Sequence, residues 1–400
     1  MHVLTTVVGK RTEHWTDLFD VLCEQPDVTL TVLAADVSPV TRRELARLAR
    51  VHPRLRYHVV PHLLGEGRTG HMASVLFRLP AGHDVTATRP DILHVIGEAA
   101  YLSTWQTLRL RRRCWAGVPT TLYAAQNVVT RFPVPFPRIE RQSYLAVNHA
   151  FPVTPAALNV LRIKGYHGPA TIVPLGTDTR VFRPMVTGMA DRRFTVGFVG
   201  RFEPHKGVAD LLRAAELIDC DVLLVGDGSL TSEVERAAMR RPGRVVRHRW
   251  VGHDELPVLL NGMDVLVMPS VEVVQRNVVP WIGIPLREQF GRVLVEAMAC
   301  GVPVVGSDVG EIPYVVGDAG LIFPAGDVPA LAARLARLRD EPALTADLGA
   351  RGLRRAGAEF GWDRVADTLC TVWRDLRVPT RSPQTPPTEA GHTTREAIAR

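Results

Sequence analysis

Short β-branched runs alternate with amphipathic stretches along the chain, and this rhythm starts twice. His2 to Val8, Val28 to Ala34, Leu55 to Val60, Ile92 to Ile96 and Thr120 to Tyr123 read as strands. Phe194 to Val199, Val222 to Val225, Val245 to His248, Val265 to Met268 and Val302 to Val305 repeat the pattern. Helical patterns lie between them, such as Pro39 to Val51 behind Ser38, a suitable N-cap. Strands that alternate with helices form mostly parallel sheets covered on both faces. The second start therefore predicts an α/β protein of two doubly wound, Rossmann-like domains. Ligands of open parallel sheets sit beyond the carboxyl ends of the strands, so two such sheets facing each other make a cleft.

The first domain is expected over 1–184 and the second over 192–360. Periodicity is lost from Phe182 to Asp191, after the turn-like Pro174-Leu175-Gly176-Thr177-Asp178. A helix over 361–377 is expected to cross back to the first domain. The Pro- and Thr-rich 378–400 cannot bury enough apolar surface to fold and reads as a disordered tail.

A length of 400 residues suits two or three domains. The 48 basic and 41 acidic side chains leave a net charge of +7, scattered rather than gathered in a stripe. That favours an anionic ligand over nucleic acid. Cys23, Cys114, Cys220, Cys300 and Cys370 are far apart, odd in number and never in a C-x-x-C pair, so neither a disulfide framework nor a zinc knuckle is indicated and a cytoplasmic chain is expected. No apolar run is long enough to span a bilayer and no secretory signal is present, so membrane contact is expected to be peripheral at most. Lysine is scarce, with only Lys10, Lys164 and Lys206.

Two stretches carry chemistry. In Glu288-Gln-Phe290-Gly291-Arg292-Val293-Leu-Val-Glu296, Gly291 stands where a loop becomes a helix. The amides that follow form an N-terminal donor set that attracts a diphosphate through hydrogen bonds and the helix dipole. Glu288 lies just outside the helix and Glu296 more than a turn inside, so the two carboxylates can accept hydroxyls at opposite ends of an elongated, polyhydroxylated ligand. In Val196-Gly-Phe-Val-Gly200-Arg201-Phe-Glu-Pro-His205-Lys206-Gly207, a strand and a glycine turn lead into two cations five residues apart. Arginine's planar fork and lysine's mobile charge can neutralise adjacent phosphates and a leaving group's growing charge.

At these residues, and at Gly306-Ser307-Asp308-Val309-Gly310-Glu311-Ile312-Pro313, the sequence resembles the GT-B glycosyltransferases, and within them the large retaining family 4. The resemblance runs from about Asp91 to Phe323. It implies that Arg201 and Lys206 bind the nucleotide-sugar diphosphate, that Glu288 and its adjacent loop hold the sugar hydroxyls, and that Glu296 holds the ribose. Arg201, Lys206 and Glu288 then carry the catalysis. Gly9, Gly200, Gly226, Val251, Phe290, Gly291, Arg292 and Val293 complete the donor side. Gly226-Asp227-Gly228 and Val251-Gly252-His253 resemble strand-end loops around the base, and Pro174 to Asp178 the interdomain turn.

The first domain is the acceptor side, and its His94, Glu98, Gln126 and Asn127 are candidates there. Two departures stand out. The usual Gly-Gly loop after the first strand is represented by Gly9-Lys10-Arg11, and Gln126-Asn127 stand where many relatives have a histidine facing the anomeric carbon. Val271 to Arg287, containing Asn277 to Pro285, is longer than the usual connection and is read as shaping a donor or acceptor pocket.

Other features read as structural. Asp219-Cys-Asp221 spells D-x-D but precedes a strand, so no metal or other cofactor is expected. Arg109 and Arg111 to Arg113, with Trp105 and Trp115 nearby, could meet anionic lipid, yet a helix C-terminus favours cations anyway. The resemblance implies transfer of a hexose or N-acetylhexosamine from a nucleotide diphosphate sugar, with UDP expected, to a hydroxyl of a small-molecule or glycan acceptor. The Arg-rich, Ala-rich, Lys-poor composition resembles that of high-GC actinobacteria, where such enzymes act on antibiotic aglycones or aminocyclitols, on envelope glycans and on small thiol precursors; antibiotic or other secondary-metabolite biosynthesis is the expected setting. A sugar-nucleotide epimerase or hydrolase, and a non-catalytic nucleotide-sugar-binding protein, are the alternatives.

Overall fold

The computed structural model describes residues 1–65, 74–80, 82–130, 132–186, 193–252, 255–275 and 284–377. The expected tail, Asn277 to Trp281, His253 and the end of the boundary segment fall outside these residues.

The first unit contains β1 (His2–Val8), β2 (Thr29–Ala35), β3 (Leu55–Val60), a short antiparallel pair β4 (His62–Leu64) and β5 (Leu76–Phe77), then β6 (Ile92–Ile96), β7 (Thr120–Ala124) and β8 (His149–Pro152). Its main sheet has the order β3-β2-β1-β6-β7-β8, with every pairing parallel. The second unit contains β9 (Thr195–Val199), β10 (Asp221–Val225), β11 (Val245–His248), β12 (Val265–Met268), an antiparallel pair β13 (Val273–Gln275) and β14 (Ile284–Leu286), then β15 (Val304–Ser307) and β16 (Gly320–Phe323). Its order, β11-β10-β9-β12-β15-β16, repeats the first, again all parallel. In each sheet the order turns back beside the first strand, the doubly wound topology that opens a crevice at the carboxyl ends. The molecule is thus an α/β protein of two Rossmann-like sheets.

Burial explains the strand composition. Val3, Leu4, Val7, Leu30, Val32, Val196, Leu224 and Val265 are fully buried, as strands covered on both faces must be. The helix Pro39–Val51 is capped by Ser38, whose Oγ accepts the Thr41 amide at 3.1 Å. The last strands of the two sheets, β8 and β16, escaped the periodicity reading: β8 holds no β-branched residue and ends in Pro152, and β16 opens on Gly320 and has Ile322 as its one β-branched residue.

The last helix, Trp362–Arg377, packs against the helix Trp15–Glu24 of the first unit. Trp373 is buried there, its Nε1 donating to Thr121 Oγ1 of β7 at 3.3 Å, and Arg374 pairs with Asp27 at 2.8 Å. Where the chain recrosses, the Thr177 amide donates to the Phe360 carbonyl at 2.8 Å and the Trp362 amide to the Thr177 carbonyl at 3.1 Å. Among the described residues no helix is long and apolar enough to cross a membrane. Arg111 Nε instead donates to the Val118 carbonyl at 2.6 Å, Arg109 lies over the Trp105 ring, and Trp115 is core.

Candidate active site

A cavity of about 170 Å³ opens at the carboxyl ends of β9 and β12, lined among others by Gly200, Lys206, Ser270, Glu288, Gly291 and Arg292. Local chain chemistry places Lys206 and the start of the helix. Gly207 ends the one-turn helix Pro204–Lys206 at φ +69°, and a Cβ there would meet the Pro269 carbonyl oxygen at 1.8 Å. Only glycine turns the chain so tightly while leaving Lys206 at the cavity wall. Gly291, at φ +84°, caps the helix Arg292–Ala299, whose first amides have no partner within the helix, and Gly291, Arg292 and Val293 line the cavity.

Inside the cavity Lys206 Nζ meets Glu288 Oε2 at 2.5 Å, and Ser270 Oγ donates to the same oxygen at 3.3 Å. Ser270 is itself fixed by Ser307, whose hydroxyl donates to its carbonyl at 2.6 Å. Arg201, directly after Gly200, is half-buried and forms no side-chain hydrogen bond or ion pair among the described residues. The neighbouring His205 has its pKa lowered, first by burial and then by the charges of Lys206 and Arg201. The pair Arg292 and Glu296, one turn apart, is joined at 2.8 Å with the Glu296 side chain 7% exposed.

Other expected donor residues stand farther back. Gly226 is buried at the end of β10, where a Cβ would meet the Gly200 carbonyl oxygen at 2.0 Å, so its part is close packing of two strand-end loops. Val251 is partly buried beyond β11. Phe290 turns its side chain away from the cavity into the core, edge-on to Phe360 at 5.7 Å. Gly9 lies at the end of β1 in the first unit, its amide donating to the Ala35 carbonyl at 3.2 Å, and the adjacent Lys10 pairs with the buried Asp36 at 2.8 Å.

The acceptor-side expectations need correction at His94. Its ring is 1% exposed, Nδ1 is bonded to Thr121 Oγ1 at 2.8 Å, and Tyr123, Phe151 and Trp373 surround it. Burial drives its pKa down to about 3, so it is a neutral core residue and does not reach the cleft. Glu98 also faces the protein: its Oε1 accepts the amides of Ala125 and Gln126, both at 2.8 Å. Burial raises its pKa against the lowering effect of the Ala125 amide and Lys164. Gln126 accepts from Lys164 at 3.0 Å.

Asn127 reaches across the cleft, Nδ2 donating to the Glu288 carbonyl at 2.8 Å. Sequence reasoning missed the other groups that hold this carbonyl. The Glu311 amide donates to it at 3.1 Å, and Gly310, at φ +60°, packs where a Cβ would stand 2.1 Å from it. The Glu311 carboxyl is buried against Thr154, Ala156 and Asn127 of the first unit; burial raises its pKa and those donors offset part of the rise. Asp219 and Asp221 both pair with Arg244, at 2.7 and 2.6 Å. Among the described residues no three His, Cys, Asp or Glu side chains are grouped to hold a metal.

Residues 193–341, which contain this cavity and the helix beside it, match the family model described as "Glycosyl transferases group 1". The second unit is therefore that of a group 1 glycosyltransferase. It is similar to the alpha-maltose-1-phosphate synthase of Mycolicibacterium smegmatis, 27% identical over 88% of this chain and 84% of that protein. It is 33% identical to the MMP alpha-(1->4)-mannosyltransferase of Mycolicibacterium hassiacum over 50% of this chain and 47% of that one. Among solved structures, the glycosyltransferase shares its fold with Anabaena HepE in complex with UDP, at a TM-score of 0.72 and 16% identity over 94% of this chain and 100% of that one. A sucrose-phosphate synthase from Thermosynechococcus elongatus gives 0.68 and 20% over 94% and 99%. The fold of this glycosyltransferase is GT-B.

Proposed function

We propose that this glycosyltransferase is a retaining, metal-independent hexosyltransferase. It moves a hexose or N-acetylhexosamine from a UDP-sugar to a hydroxyl of a small-molecule or glycan acceptor. The observation that carries this reading is the meeting of Lys206, Glu288 and the first amides of the helix Arg292–Ala299 around one cavity. A diphosphate entering it draws Lys206 from Glu288 and frees that carboxylate to accept sugar hydroxyls. As the anomeric bond breaks, charge grows on the β-phosphate, where Arg201, Lys206 and the helix amides stabilise it. Glu296, released from Arg292, accepts the ribose hydroxyls.

Retention follows a front-face route. Among the described residues, Glu98 and Glu311 are both engaged with backbone or side-chain donors, which speaks against either as a nucleophile. The departing phosphate then takes the acceptor's proton. Both relatives described above are named for α-linked products, and HepE was solved with UDP, which supports the donor class and the stereochemistry. Arg244 already pairs with both carboxylates of the D-x-D, which favours charge compensation at the phosphates by side chains and helix amides.

The test is nucleotide release from UDP-glucose, GDP-mannose and ADP-glucose, each with a panel of hydroxyl acceptors and excess EDTA. The expected result is acceptor-dependent release of UDP that survives chelation. Lys206→Ala and Glu288→Gln should each lower it by about a hundredfold, as when one transition-state contact is lost. Strict dependence on Mn²⁺, or near-normal rates in both variants, would overturn the reading.

A further inference from the structure

Of the three lysines, Lys164 has no part in the donor cavity, yet its side chain is only 6% exposed. Its ammonium donates to Glu140 Oε1 at 2.8 Å and to Gln126 Oε1 at 3.0 Å, and lies 5.4 Å from the centre of the Phe132 ring. Tyr144 adds a 3.4 Å contact to the same Glu140 oxygen. Replacing such a buried pair by well-packed apolar groups is often neutral or stabilising, so the pair itself is weak ground for stability. What it does is geometric. Lys164 holds the Gln126 side chain while Glu98 holds the amides of Ala125 and Gln126, so the segment after β7 is tied from both sides.

The next residue is Asn127, which crosses the cleft to the Glu288 carbonyl, and Glu288 in turn pairs with Lys206. A continuous set of polar contacts and two covalently adjacent residues thus links a buried lysine of one unit to the cavity lysine of the other. We propose that Lys164, together with Glu98, is a positioning residue: it fixes the 125–127 segment so that Asn127 orients the Glu288 loop across the cleft. The functional meaning rests on the reading of Lys206 and Glu288 as the donor site, but the contact itself can be tested without turnover.

The experiment is hydrogen–deuterium exchange on the full chain as wild type, Lys164→Met, Asn127→Ala and the double variant. Lys164→Met should speed exchange about tenfold at 124–128 and at 286–292, the effect of losing one hydrogen bond's net contribution. Asn127→Ala should do so at 286–292, and the double variant should add nothing further there. Lys164→Arg, which keeps the cation, should restore protection. If Lys164→Met fails to fold, Gln126→Ala severs the same contact and must give the same signal at 286–292. Wild-type protection at 286–292 in the severed variant, or faster exchange that extends through β9 and β10, would overturn the proposal. Failure of the wild type to release nucleotide from UDP-glucose or any other nucleotide sugar would instead overturn the transferase reading and leave the exchange result intact.

Discussion

The side-chain amide of Asn127 and the backbone carbonyl of Glu288, 161 residues apart in sequence, meet at 2.8 Å across the cleft. The carboxylate of Glu288 lies in the cavity proposed for the donor, so the first domain touches that loop through the Glu288 backbone. Asn127→Ala is expected to lower kcat by about tenfold, one hydrogen bond's net worth, while the Kd for UDP stays within about twofold. Isothermal titration beside steady-state rates measures both. A parallel loss of UDP affinity would place Asn127 on the ligand and not on the loop.

Gly310 packs against the same carbonyl. Its φ of +60° and the 2.1 Å approach that a Cβ would make to Glu288 oxygen mean that Gly310→Ala must push the Glu288 loop away. The left-handed conformation itself costs a side chain about 1–3 kcal/mol. We expect a stably folded variant with a modestly lower Tm and turnover down by about a hundredfold, since a displaced Glu288 cannot keep its cavity contacts. Rates equal to wild type would show that this backbone contact does not hold the site.

His94 sets a pH dependence of stability, not of catalysis. Its folded pKa is about 3 against an ordinary 6.5, because burial disfavours the charged ring. Between those values the unfolded chain binds the extra proton, so this contribution is fully present above about pH 6.5 and is lost as pH falls toward 3, at up to about 1.4 kcal/mol per pH unit. His94→Phe should flatten the fall of Tm between pH 6.5 and 4 relative to wild type and leave turnover near normal. Thermal melts across that range check the first, and a large loss of turnover would return His94 to the site.

Glu296 differs from Glu288 in what its loss should do. Ribose contacts are nearly the same in ground and transition states, so Glu296→Ala should raise donor KM and leave kcat close to wild type. A fall in kcat at unchanged KM would assign Glu296 to the reacting centre.

The legible parts of this molecule were those written in contiguous residues. Ten of the strands came from β-branched runs, and Lys206, Glu288, Gly291 and Arg292 came from glycine-turned loops whose backbone and charge are local in sequence. The strands β8 and β16 were not legible, because His149–Pro152 holds no β-branched residue and ends in proline, and Gly320–Phe323 opens on glycine with Ile322 its one β-branched residue. His94 misled because one histidine at a strand position does not disclose what packs over it, here Trp373 from the far end of the chain. The hold on Glu288 by Asn127, Gly310 and Glu311, and the burial of Lys164 against Glu140, are meetings of distant segments with no local pattern to announce them.

The central claim is sugar transfer in which the acceptor enters on the face that the phosphate leaves. The most direct measurement is the one-bond carbon–proton coupling and the anomeric proton splitting, by NMR, of the product made from an α-linked UDP-sugar and its acceptor. The account predicts an α-linked product with EDTA present throughout. A β-linked product from that donor would contradict it, even with Lys206, Glu288 and Glu296 all contributing to binding.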